Sequence, residues 1–119
     1  KSYISLYCST MENLIEIIYM DEERTILSDA EIEMIANRFK ILSEASRLKI
    51  LRSLFDGEKS VTEIIDNTGL LQANVSKQLR ILQSNGIVSC RPEGLMRFYR
   101  LTDFTVQKIC HAVCGRLNN

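Results

Sequence analysis

The chain has 119 residues, 45% of them hydrophobic, which is enough for one core but leaves a domain of this size room to gain from a partner subunit. Fifteen basic and fifteen acidic side chains cancel, which counts against a uniformly cationic surface, and no apolar run approaches the roughly 18 residues that a membrane span requires. The four cysteines, at positions 8, 90, 110 and 114, form neither a CxxC pair nor a zinc-finger spacing, and the first residues lack the cleavage pattern of a signal peptide, so the expectation is a cytoplasmic protein with reduced thiols and no membrane partner.

The zero balance hides an asymmetry. Residues 1–71 carry 8 basic and 13 acidic side chains, net −5, whereas residues 72–101 carry 5 and 1, net +4. A phosphate backbone would be drawn to that second segment while the acidic remainder faces away.

Taken in chain order, three Ser-x-x-Glu capping boxes mark helix starts: Ser9 with Glu12, Ser28 with Glu31, and Ser60 with Glu63. The first precedes the amphipathic run "MENLIEIIYM". The second precedes "DAEIEMIANRFKIL", which places Ile32, Ile35, Phe39 and Leu42 on one stripe. Ser46 is expected to cap "RLKILRSLF", with Leu48, Leu51 and Phe55 at helical spacing and Gly57 closing the helix. The third box opens a short helix that Gly69 stops.

In "LLQANVSKQLRILQSNG", Val75, Leu79 and Leu82 recur at i, i+4 and i+7, and Gln72, Asn74, Lys77, Gln78 and Arg80 are expected to face solvent. β-branched and aromatic residues then flank Pro92-Glu93-Gly94, a hairpin signal. In the first hairpin strand, Cys90 alternates with Val88 and is expected to face the core. The last segment puts Val106, Cys110, Val113 and Leu117 on one stripe of a terminal helix, with His111 on its surface. The organisation expected is an N-terminal arm and helix over residues 1–27 and a winged helix-turn-helix over residues 28–119, mainly α with a small β-hairpin wing, dimeric.

A short helix, a glycine turn and a second helix with polar residues at its start fit a DNA major groove. Asn and Gln side chains bond adenine bidentately, while Lys, Arg and Ser serve phosphates or base edges. Gln72, Asn74, Ser76, Lys77, Gln78 and Arg80 carry that chemistry, with Arg91 and Arg97 flanking the wing tip. The partners expected are double-stranded operator DNA and a second copy of the chain. An enzyme is not expected: the lone His adjoins Cys110 in sequence, about 100° away around a helix, and no Gly-rich phosphate loop, paired-carboxylate motif or HExxH occurs. The alternatives are a winged-helix module that binds protein instead of DNA and a repressor that answers to no small molecule.

The run from Ile35 to Leu101 resembles the ArsR/SmtB family of small winged-helix repressors, through "FKILSEASRLKIL", "GEKSVTEI", "QANVSKQLRILQSNGIV" and "RPEGLMRFYRL". The resemblance implies a homodimer with its terminal helices at the interface, released from its operator when a metal ion, metalloid or reactive sulfur species reaches cysteines or other ligands. The chain departs from three of the family's sensing patterns. "KSVTEI" has no Cys-x-Cys; the terminal helix keeps only Asp103 of an Asp/His set, with Thr105, Arg116 and Asn119 at the other places; and position 52 is Arg, not Cys. Gln78 also stands where the family often has His.

No cofactor is required by this reading, and the inducer it allows is trivalent arsenic or another thiophilic ion. Cys110 and Cys114 share a helix face, with Cβ atoms at about 5–6 Å by helix geometry, too far for a relaxed disulfide at about 3.5–4.5 Å yet suited to bridging by trivalent arsenic or another thiophilic ion. Cys8 is the candidate third ligand; if the native chain starts at Met11, Cys8 leaves the set. The plainer alternative makes Cys110 a small buried hydrophobe.

Overall fold

The computed structural model describes residues 27–117. The expectations placed on Ser9, Glu12, the first helix and Cys8 lie outside the described residues. The described elements are α1 (Asp29–Leu42), α2 (Ala45–Ser53), β1 (Lys59–Ser60), α3 (Val61–Thr68), α4 (Gln72–Ser84), β2 (Val88–Glu93), β3 (Met96–Leu101) and α5 (Phe104–Leu117).

Two capping boxes form as their spacing requires. Ser28 Oγ accepts from the Glu31 N–H at 3.2 Å while the Glu31 carboxylate accepts from the Ser28 N–H at 3.1 Å. Ser60 and Glu63 repeat this at 3.2 and 2.9 Å, so each helix start has two donors satisfied. The start of α2 differs from expectation. Its N-cap is Glu44, in extended backbone, and Ser46 lies inside the helix with its hydroxyl donating to Glu44 Oε1 at 2.5 Å. The Glu44 carboxylate attracts the hydroxyl that would otherwise have capped the backbone. At the far end α2 stops at Ser53, with Leu54 as C-cap, and Gly57 belongs to the loop beyond.

Gly69 ends α3 in the left-handed region, φ 72°, with its N–H donating to the Ile65 carbonyl at 2.9 Å. This conformation is nearly free only to glycine, and it turns the chain into α4, which begins three residues later at Gln72.

The three strands form an antiparallel sheet in the order β1-β3-β2. The hairpin turn lies further along than expected. Pro92 is inside β2, opposite Arg97, and the register brings Glu93 opposite Met96, leaving Gly94-Leu95 as a two-residue loop. Gly94 has φ 63° and Leu95 does not have positive φ, the glycine-first arrangement of tight hairpin loops. Proline is tolerated because β2 is an edge strand with an outward side that needs no N–H. The two-residue β1, paired through Lys59 with Tyr99 and Ser60 with Phe98, has no periodic signature in the sequence.

The core joins the five helices and strands β2 and β3, with Ile41 and Leu42 entering from the end of α1. Ile50, Leu51, Leu54, Ile64, Val75, Leu79, Leu82, Ile87, Val88, Leu101 and Val106 are buried, each such burial contributing about 1.5–3 kcal/mol. The expected floor of α4 is therefore present. The stripe of α1 is not buried along its length: Leu42 is, but Ile32, Ile35 and Phe39 are exposed, Phe39 at 54%. On α5 Val106 is buried, Cys110 half-buried and Val113 exposed, while the side chain of Leu117 lies outside what is described. Two helices thus present apolar faces that the other described residues leave exposed.

Candidate nucleic-acid interface

α4 is the element on which most of the expected contact residues converge. Its helical phase sends Val75, Leu79 and Leu82 inward, so residues about 140–180° away, among them Lys77 and Arg80, must point outward. Gln72, Ser76, Lys77 and Arg80 are exposed and Asn74 is half-buried. Leu71 is the N-cap and makes no side-chain hydrogen bond, so among the described residues no side chain covers the first N–H groups of the helix. Those groups, with the helix dipole, suit a phosphate oxygen.

Gln78 does not face solvent as expected. It is 3% exposed, beside the apolar stripe, and saturated by partners from α2 and its own helix. Arg47 Nε donates to Gln78 Oε1 at 2.8 Å, and Gln78 Nε2 donates to Glu44 Oε1 at 2.7 Å and to Asn74 Oδ1 at 3.1 Å. Arg47 in turn pairs with Glu44 at 2.9 Å and donates to the Ile41 carbonyl at 3.0 Å, which ties the end of α1 to the network. Buried amide groups need partners, and Glu44 and Arg47 supply them to Gln78 from the α1–α2 junction. Neither residue was legible as part of the interface, because they lie 34 and 31 positions away in sequence. The Ser46 hydroxyl, followed by Arg47 and Lys77, holds the Glu44 carboxyl below its ordinary pKa.

On the wing the two arginines differ. Arg91 is exposed but engaged: its guanidinium donates to Glu58 at 2.8, 3.1 and 3.2 Å, approaches Glu93 at 3.4 Å and lies over the Phe98 ring at 4.9 Å. The Arg91 contact lowers the Glu58 pKa from its ordinary value, so the pair is charged on both sides. Arg97 is exposed and makes a long contact to Cys90 Sγ at 3.8 Å. Cys90 is half-buried opposite Tyr99, with Arg97 at its sulfur, and burial followed by Cys90 raises the Tyr99 pKa.

A further link runs from α1 to the far end of α4. Arg38 Nη1 donates to the Asn85 carbonyl at 2.9 Å and Nη2 pairs with Asp103 at 3.3 Å, while Asn37 Nδ2 donates to Asn85 Oδ1 at 3.3 Å. Asp103 also accepts from the Thr105 N–H at 3.1 Å, at the start of α5.

Residues 44–89 match the family model described as "Bacterial regulatory protein, arsR family". Over 79 residues, 66% of this chain and 69% of the relative, the sequence is 37% identical to the biofilm growth-associated repressor of Xylella fastidiosa. The chain belongs to the ArsR family. Among solved structures, the homodimeric winged helix-turn-helix DNA-binding domain from Mycobacterium bovis is 31% identical, with a TM-score of 0.67 over 79% of this chain and 90% of that one. The antimony-specific transcriptional repressor AntR is 26% identical, with a TM-score of 0.72 over 78% of this chain and 85% of that one. The architecture is a winged helix-turn-helix, and the family is one of DNA-binding transcriptional regulators, not of enzymes.

For this ArsR-family chain the thiols sit away from α4. Cys110, His111 and Cys114 line an apolar groove of about 750 Å³ that α1, α2 and α5 enclose, walled by Phe39, Leu48 and Phe55. His111 is exposed on α5, as expected, and meets the Phe55 ring edge-to-face at 5.6 Å. Burial, and secondarily Cys114, pushes the Cys110 pKa up, so Cys110 favours the thiol form. Among the described residues no three His, Cys, Asp or Glu side chains are grouped to hold a metal ion, and no helix is long and apolar enough to cross a membrane.

Proposed function

We propose that the protein is a homodimeric transcriptional repressor that lays α4 of each protomer in successive major grooves of an imperfect palindrome, about 34 Å apart. The observation that carries this reading is α4 itself: an apolar floor, an exposed polar and cationic crest, and an N-terminus that no side chain caps. Lys77, Arg80 and Arg97 supply phosphate contacts, Arg91 adds to them where Glu58 releases it, and Gln72, Asn74 and Ser76 meet base edges. Gln78 contributes by holding Asn74. The uncovered faces of α1 and α5, with Ile32, Ile35, Phe39, Phe104 and Val113 exposed, and the homodimeric state of the Mycobacterium bovis domain support a second copy as the cover.

Release is assigned to a thiophilic inducer, with trivalent arsenic or a related ion as its class and Cys110 and Cys114 as its ligands, joined by Cys8. The antimony-specific repressor among the structural relatives supports the ligand class. A bound cation favours the thiolate that burial disfavours. The links from α1 through Arg47 to α4, and through Arg38 to Asn85 and Asp103, offer a route by which a shift of the dimer helices changes the spacing of the two reading helices. Inducer and operator then weaken each other by the same factor.

The test is fluorescence anisotropy of a duplex from the region upstream of the protein's own gene, titrated with reduced protein and then with trivalent arsenic. Tight, salt-sensitive binding that arsenic reverses, and that Cys110→Ser or Cys114→Ser makes resistant, is expected. Absence of duplex binding would overturn the repressor, and unchanged release from both serine variants would overturn the thiol site.

A further inference from the structure

The hydrogen-bond polarity around Gln78 has a chemical origin that runs outward to Asn74. An arginine side chain only donates and an ionised glutamate only accepts, whereas a glutamine or asparagine amide offers one end of each kind. Arg47 Nε faces one end of the Gln78 amide at 2.8 Å, so that end is the oxygen. Glu44 Oε1 faces the other end at 2.7 Å, so that end is the NH2 group. The same NH2 reaches Asn74 at 3.1 Å, and the Asn74 atom that meets it is therefore Oδ1. Both ends of the chain are charged, so reversing either amide would place two donors or two acceptors face to face. The Gln78 amide is 3% exposed and has no solvent to compensate a reversal. Among the described residues Asn74 Nδ2 has no hydrogen-bond partner.

We infer that Glu44, Arg47 and Gln78 are positioning residues that fix the orientation of Asn74, so that α4 presents an amide donor there and selects guanine over adenine. This rests on α4 entering the major groove. Guanine displays two acceptors in that groove, N7 and O6, which one NH2 group serves together. Adenine displays an acceptor beside its own N6 amino group, and the usual bidentate Asn–adenine pair needs the amide oxygen turned to that amino group. Here the oxygen is turned to Gln78.

The experiment selects duplexes from a randomised pool with the wild-type dimer, then measures affinity for all four bases at each half-site position. It is repeated with Asn74→Ala, Gln78→Met and Glu44→Gln, each checked for an unchanged circular dichroism spectrum. Asn74→Ala identifies its position as the one whose preference collapses. There the wild type is expected to favour guanine over adenine by about 10-fold, within the range of one good base contact, and 7-deazaguanine should lose most of that advantage. Gln78→Met keeps the volume and the Glu44–Arg47 pair but removes the clamp, so the preference should narrow to about 3-fold or less as Asn74 turns freely. Glu44→Gln should narrow it less. Equal or reversed preference in the wild type, or an unchanged profile in Gln78→Met, would overturn the inference while leaving the repressor intact. Failure of the wild type to enrich any duplex would instead overturn the repressor on which the inference rests.

Discussion

Replacing Glu58 with Gln should make the protein bind DNA more tightly at low salt and lose that affinity faster as salt rises. Arg91 donates three hydrogen bonds to the Glu58 carboxylate, the shortest at 2.8 Å, so its charge is matched before any duplex arrives. A neutral amide at position 58 keeps the side-chain length and leaves the guanidinium available to a phosphate. Each phosphate neutralised adds about −0.9 to the slope of log K against log salt, so between 50 and 200 mM the variant should lose about 3.5-fold more affinity than the wild type. Melting temperature should move little, since exposed ion pairs contribute little to stability. Anisotropy titrations at four salt concentrations measure the slope for wild type, Glu58→Gln, Arg91→Ala and the double variant. The double variant should fall back to the wild-type slope. If Glu58→Gln left the slope unchanged, the wing would not approach the phosphates; if Arg91→Ala alone flattened it by a full unit, Arg91 would already leave Glu58 on binding.

Three further outcomes are expected. Arg97→Ala and Arg80→Ala should weaken all duplexes alike and each flatten the salt slope by about 0.9; a change confined to one sequence would mark base contact instead. Gly69→Ala should lower stability by about 1–2 kcal/mol in urea unfolding through left-handed strain alone, because nothing lies within 4 Å of where its Cβ would stand, and an unchanged midpoint would refute that assignment. Cys110 should react with iodoacetamide at neutral pH more slowly than a cysteine in an unstructured peptide: burial raises its pKa, so less thiolate is present, and its rate should keep rising with pH after the peptide has levelled off. A neutral-pH rate equal to the peptide's would contradict the burial of that thiol.

Much of the site was legible because its signals are local. The 3.6-residue period of Val75, Leu79 and Leu82 marks the inner face of α4 and hence the outer one, and the boxes at Ser28 and Ser60 mark helix starts within three residues. Gln78 lies on the flank of that inner face, about 60° from its centre by helical phase, where period alone does not decide between solvent and interior. Its destination depended on Glu44 and Arg47, which stand far off in sequence. Arg91 was readable as a wing cation, but its match to Glu58 needs a loop 33 positions earlier to lie beside β2.

The amino-acid order by itself determined the helix-turn-helix, the wing, the cationic second half and the family, because capping, helical period and turn chemistry act over a few residues. Only the tertiary structure decided which polar groups are still available to DNA. Hydrogen bonds and ion pairs are short-ranged in space but indifferent to sequence distance, so the α1–α2 junction could claim Gln78, turn Asn74 and leave Lys77, Arg80 and Arg97 on the surface.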